Sequence, residues 1–117
     1  MPILNLTRKT TIASHVEMAD TFFKRMQGLL GRASLGAGEA LIITHCQSVH
    51  MLWMKFAIDV IFIDQQNKVV GLTARIKPFK FSPIFWKSSC AIELPAGTIE
   101  TTNTQMGDEI HWASSTG

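Results

Sequence analysis

His50, Met54, Asp59 and Glu93 are the side chains whose types could do chemistry, and three of them share the stretch Ser48 to Asp64, SVHMLWMKFAIDVIFID. The run is otherwise strongly apolar and reads as two core strands. Polar or soft residues placed inside it mark either a site or a structural polar cluster. An imidazole oriented by a carboxylate is a general base. His50 with Asp59 or Glu93 could therefore carry proton transfer or hydrolysis. No nucleophile elbow, H-E-x-x-H motif or phosphate loop accompanies them.

Cys46, His50 and Met54 are also ligand types for a soft metal. Their spacing argues against one strand supplying all three. Four residues of strand span about 13 Å at ~3.3 Å each, and ligand bonds near ~2.0–2.3 Å cannot bridge that distance. A small buried thiol, a core histidine and a core methionine explain the same residues, so no metal and no cofactor is expected. Two cysteines cannot complete a Cys-only zinc site, and Cys46 and Cys90 are expected as free thiols.

Asp59 shares the face of its strand with Ile61 and Ile63, so it points inward. A buried carboxylate needs partners, because an unpaired one protonates instead. Arg25, Arg32 and Lys55 are the candidates, and a helix arginine docked on a strand carboxylate would fix helix against sheet. Arg25 is expected to pair with Asp59 or Glu39. Glu93, between Ile92 and Leu94, lies on the opposite face from them.

A further segment, Lys77 to Lys87 (KPFKFSPIFWK), interleaves three lysines with Phe79, Phe81, Phe85 and Trp86. Exposed, it could stack on bases or sugars or contact an acidic partner. The same alternation also describes an ordinary half-buried strand.

The elements that must position these groups are mostly strands. Ile3 to Thr7 and Thr11 to Met18 read as an N-terminal hairpin around Arg8-Lys9. One helix follows, capped by Asp20 or Thr21, with Phe22, Phe23, Met26, Leu29 and Leu30 on one face and Gly31 as its stop. Glu39 to His45, Val49 to Lys55, Ile58 to Ile63, Lys68 to Ala74, Cys90 to Leu94 and Gly107 to Trp112 read as further strands. Gln65-Gln66-Asn67 fits a hairpin loop, and Pro95-Ala96-Gly97 stops a strand. Pro78 and Pro83 make 75–87 an edge strand or a long loop. The expected architecture is mainly β, an antiparallel jelly-roll-like sandwich or barrel decorated by a helix in its N-terminal half.

A length of 117 residues favours a single domain, 1–117. With 46% hydrophobic and 17% charged residues the chain is of globular type. A net charge of +2 is too small to argue for nucleic acid. No apolar run approaches the ~20 residues of a membrane span, and the first residues lack a signal-peptide core. The expectation is a cytoplasmic protein, monomer or weak homodimer, with no nucleic-acid or membrane partner.

Four blocks carry a family resemblance: Thr21 to Arg32 (TFFKRMQGLLGR), Cys46 to Asp64, Ile92 to Gly97 (IELPAG) and Gly107-Asp108. Together they resemble the DUF192 family, also called UPF0127, from about Glu17 to Ile110. Ala57 stands where many relatives have proline. The resemblance implies a compact, mainly β, jelly-roll-like fold and implies no activity. The residues themselves suggest a non-enzymatic β-domain that binds a small ligand or a protein partner. Its site would lie around His50, Met54, Asp59, Glu93, Phe79 and Trp86. The alternative is an enzyme that uses His50 with Asp59 or Glu93, with or without a metal.

Overall fold

β-Branched residues dominate the centre of the molecule. The computed structural model describes residues 2–19, 36–45, 47, 56–78 and 80–112. Their strands are β1 (Ile3–Asn5), β2 (Thr10–Ala13), β3 (His15–Ala19), β4 (Glu39–Thr44), β5 (Ile58–Ile63), β6 (Val69–Ile76), β7 (Cys90–Pro95) and β8 (Ile110–His111). One helical turn, Thr98–Thr101, lies between β7 and β8. The fold is mainly β and built on two sheets: β2-β1-β8, and β3-β4-β7-β5-β6.

β5 (IDVIFI) is buried at every position, as a central strand covered on both faces must be. It pairs antiparallel with β6 on one side and β7 on the other. Its alternation sorts the core into two layers. Ile58, Val60 and Phe62 face one way with Leu41, Ile43, Ile76 and Ala91. Ile61 and Ile63 face the other way with Ile42, Ile92 and Leu94, and join Ile3, Ile12 and Ile110 of the smaller sheet. The apolar layer shared by the two sheets is the hydrophobic effect acting on faces that neither sheet could leave in water.

Three differences from the sequence expectations have physical causes. The Thr11 to Met18 strand is broken at Ser14, where the backbone N–H groups of Ser14 and His15 both donate to Gly38 O. β2 therefore stays with the small sheet while β3 joins the large one. The β3–β4 pair is parallel, whereas the other named strand pairings are antiparallel. Parallel neighbours need a connection of a dozen or more residues, and 20–38 supplies it. Finally, the expected polar connection after Gly97 contains the helical turn. The expected helix from Asp20 to Gly31 and the Val49 to Lys55 strand lie outside the described residues.

The turns behave as their residues require. Asn67 has φ 61° in the β5–β6 hairpin, and its N–H donates to Asp64 O at 3.1 Å. Asp64 Oδ1 accepts from the N–H groups of Gln66 and Lys68, both at 2.9 Å, closing the loop by an Asx-type turn.

Candidate functional site

The two candidate carboxylates within the described strands end on opposite faces of the larger sheet. Asp59 is opposite Leu94, and Glu93 is opposite Val60. Because successive strand residues point to opposite sides, no single imidazole could be oriented by both.

Asp59 is fully buried. Its Oδ1 accepts from the Arg75 N–H at 2.8 Å. Its Oδ2 accepts from the N–H groups of Gly97 at 3.1 Å and Ile99 at 2.8 Å. Among the described residues the partners of this carboxylate are backbone amides; Arg25, Arg32 and Lys55, the side chains the sequence suggested, lie outside them. One of those amides sits at a backbone position that needs holding: Arg75 has φ 50°. A left-handed non-glycine residue is costly unless its surroundings over-determine it, and Asp59 does so for Arg75. Asp59 ties the end of β6 and the turn after β7 to the middle of β5.

Glu93 is a carboxylate of the other kind. It is 8% exposed, and its cross-strand neighbours are Leu41 on β4 and Val60 on β5. Both belong to the apolar layer that includes Phe62, with Phe56 and Phe85 packed against it. Glu93 makes no hydrogen bond or ion pair among the described residues. Burial among apolar groups penalises its charged form and pushes its carboxyl up to about 7 from an ordinary 4.5. On the same face and in the same cross-strand row, Thr73 is opposite Val60. Its Oγ1 is buried without a hydrogen-bond partner among the described residues, as is Oγ1 of Thr44 at the end of β4. Glu93 and Thr73 flank Val60 two strands apart, roughly 10 Å at the ~4.8 Å strand spacing.

The aromatic segment is settled by exposure. The described residues between 77 and 87 form no regular edge strand. Phe81, Ile84 and Trp86 are exposed, whereas Phe85 turns inward and its ring lies 4.6 Å from that of Phe62. Gly71 makes room for it: a Cβ there would stand 2.5 Å from the Phe85 ring. Trp86 is thus separated from the Glu93 layer by the residue that anchors the loop.

His50, Met54, Phe79, Arg25, Arg32, Lys55 and Cys46 lie outside the described residues. Cys90 is a free thiol whose pKa burial raises, against a smaller lowering by a hydrogen bond with Ser89. No group of three or more metal-ligating side chains occurs among the described residues.

A polar network that the sequence reading did not single out joins the chain's two ends. Asn5 is fully buried and donates from Nδ2 to Asp108 Oδ2 at 3.0 Å and to Thr104 Oγ1 at 3.2 Å. Arg8 Nε and the Gln105 N–H donate to the same Asp108 oxygen at 3.1 and 2.9 Å. Burial alone would raise the Asp108 carboxyl; the bonds from Asn5, Arg8 and Gln105, with the Arg8 charge, outweigh it and hold it below its ordinary value. Asn5 within the apolar stretch ILNL was the available signal, since a buried amide needs partners.

Comparison with known proteins agrees with this architecture and leaves the chemistry open. The family model described as "Uncharacterized ACR, COG1430", DUF192, matches residues 4–112. A UPF0127 protein of Thermococcus sibiricus is 35% identical, over 94% of this chain and 73% of its own length. A UPF0127 protein of Pyrococcus furiosus is 34% identical, over 94% of this chain and 97% of its own length. Among solved structures, a protein of unknown function from Novosphingobium aromaticivorans superposes with a TM-score of 0.80 at 21% identity, covering 96% of this chain and 84% of that one. A putative transcription regulator from Sinorhizobium meliloti gives 0.72 at 20% identity, over 94% and 89% of the two chains. These two likenesses show the fold alone. With a family match running from β1 to the residue after β8, and curated relatives aligned over nearly all of its length, the chain belongs to the DUF192 (UPF0127) family.

Proposed function

We propose that this small β domain binds a small molecule on the Glu93 face of its larger sheet. The ligand would carry an apolar body and one cationic or hydrogen-bond-donating head. The observation that carries this reading is the Glu93 carboxyl, buried against apolar side chains with no partner among the described residues. Native proteins rarely leave such a group unsatisfied without a use for it. An amine head would supply the missing partner, and the layer around Val60 and Phe62 suits an apolar body. Thr73 Oγ1 offers a second polar contact on the same face.

Thermal-shift titration with primary alkylamines of increasing chain length at pH 8 tests the reading. Stabilisation that grows with chain length and vanishes in Glu93→Gln is the expected result. No stabilisation by any amine, or equal stabilisation of both proteins, would remove Glu93 from a binding site.

One observation favours a second reading. A carboxyl titrating near neutrality is poised for general acid–base work, so Glu93 could be the proton-transfer group of an enzyme. Asp59 is unsuited to that role, because both its oxygens already accept backbone N–H groups. The two readings part at Glu93→Gln. Substrate turnover would be lost with affinity retained if Glu93 moves a proton, whereas affinity itself falls if it only binds.

A further inference from the structure

The loop Lys77–Lys87 presents the densest group of exposed large apolar side chains among the described residues. Phe81 is 67% exposed, Ile84 52% and Trp86 74%. Lys77, Lys80 and Lys87 are exposed between and beside them, and no acidic residue occurs from Lys77 to Ile92. Exposed aromatic and aliphatic tips are costly to hold in water, and clusters of them mark interaction surfaces.

The display is ordered before any partner arrives. The Phe85 N–H donates to Gln47 O at 2.8 Å, and Gln47 Nε2 donates to Trp86 O at 2.8 Å. The Ser88 N–H donates to Phe85 O at 2.9 Å, and the Ser89 N–H donates to Ile63 O at 2.8 Å. With Phe85 packed inward against Phe62, its neighbours Ile84 and Trp86 are left exposed. Prior ordering lowers the entropy lost on docking.

We propose that this loop docks on an anionic lipid bilayer surface, with Trp86, Ile84 and Phe81 entering the interfacial region and Lys77, Lys80 and Lys87 contacting headgroups. The charge is complementary: lysines flank the apolar tips with no acidic residue to cancel them. Lysine is depleted in the cores of protein–protein interfaces, but at a bilayer its long stem packs along apolar surface while its ammonium stays with the phosphates. A second copy of the chain would set like charges against each other. The earlier expectation of no membrane partner rested on the lack of a spanning segment, and a surface contact needs none.

Co-sedimentation with phosphatidylcholine vesicles, with and without phosphatidylglycerol, tests this. Poly-L-glutamate serves as an acidic polypeptide control. The wild type should associate with the mixed vesicles and be released by salt. Trp86→Ser should weaken partitioning about tenfold, and Lys80→Gln or Lys87→Gln about fivefold each. Since all three side chains are exposed, unchanged circular dichroism will show that the variants fold. No association with mixed vesicles would overturn the proposal, as would partitioning that Trp86→Ser leaves unchanged. Binding to poly-L-glutamate without binding to vesicles would also overturn it, and would assign the loop to an acidic protein partner.

Discussion

Asp59 and Glu93 are acids buried on neighbouring strands of one sheet, a single register position apart, and their surroundings have almost nothing in common. Asp59 receives three backbone N–H groups, from Arg75, Gly97 and Ile99. Glu93 receives none among the described residues, and burial pushes its carboxyl up to about 7. One face therefore uses its carboxylate to hold a turn and a strand end in place. The other keeps a carboxylate at a cost in stability. A buried carboxylate matched by amides is part of the scaffold, while a buried acid with no partner among the described residues is a candidate for a binding or proton-transfer role. Sequence distance does not separate these roles; the direction of the pleat does.

The comparison can be broken most forcefully at Asp59. Asp59→Ala leaves three amide donors without their acceptor and releases the left-handed Arg75. A loss of about 3–5 kcal/mol in chemical denaturation is expected, enough to threaten folding of a domain this size. A loss below about 1 kcal/mol would show that water replaces the carboxylate and that Asp59 is not a keystone.

Glu93→Gln should act in the opposite direction, with an effect that grows between about pH 4.5 and 7 and then levels off. The folded-state value of about 7 lies above the ordinary 4.5. Between those values the folded protein holds a proton that the unfolded chain releases. Stability on this account is greatest below pH 4.5 and falls as pH rises through 7, by about 3 kcal/mol in all. Glu93→Gln removes that dependence. Denaturation midpoints should show the variant more stable than wild type at pH 8, by about 3 kcal/mol, and equal to it within about 0.5 kcal/mol at pH 4. A variant less stable at both values would mean that the carboxylate has a partner.

Gly71→Ala reaches the layer next to Glu93 without touching it. A methyl group there would stand 2.5 Å from the Phe85 ring, so the loop anchor must move. A cost of about 1–3 kcal/mol is expected, with altered Trp fluorescence as the loop shifts. The smallest effect is expected at the surface above Asp59. The Arg75 guanidinium meets Glu100 at 3.3 Å, but both side chains are exposed. Glu100→Ala should cost less than about 0.5 kcal/mol. The Arg75 backbone amide then matters far more than its charge.

Alternation within each strand was readable because it is a local property: Asp59 with Ile61 and Ile63, and Glu93 on the face opposite Ile92 and Leu94. That the two carboxylates lie on opposite faces was not readable, because it depends on the register of β5 against β7. The partners were not readable. Any residue but proline carries an amide N–H, so nothing in the types of Arg75, Gly97 or Ile99 marks them as donors to Asp59. Only the turn character of Pro95-Ala96-Gly97 hinted that free amides would gather there. The break at Ser14 and the parallel β3–β4 pairing were hidden for a related reason. Residues 10–19 have continuous strand character, and strand character does not name a neighbour. For the Lys77 to Lys87 segment, alternation fitted both a half-buried strand and an exposed patch. Phe85 against Gly71 decided between them, a contact between residues too far apart in sequence for periodicity to report.

Glu93 is a buried acid with no partner among the described residues. Carbon-detected NMR titration of its side-chain carboxyl, assigned by comparison with Glu93→Gln, tests this most directly. The account predicts a midpoint near 7. A midpoint at or below 4.5 would show an ion pair or amide cradle around Glu93, and would make that face scaffold as well.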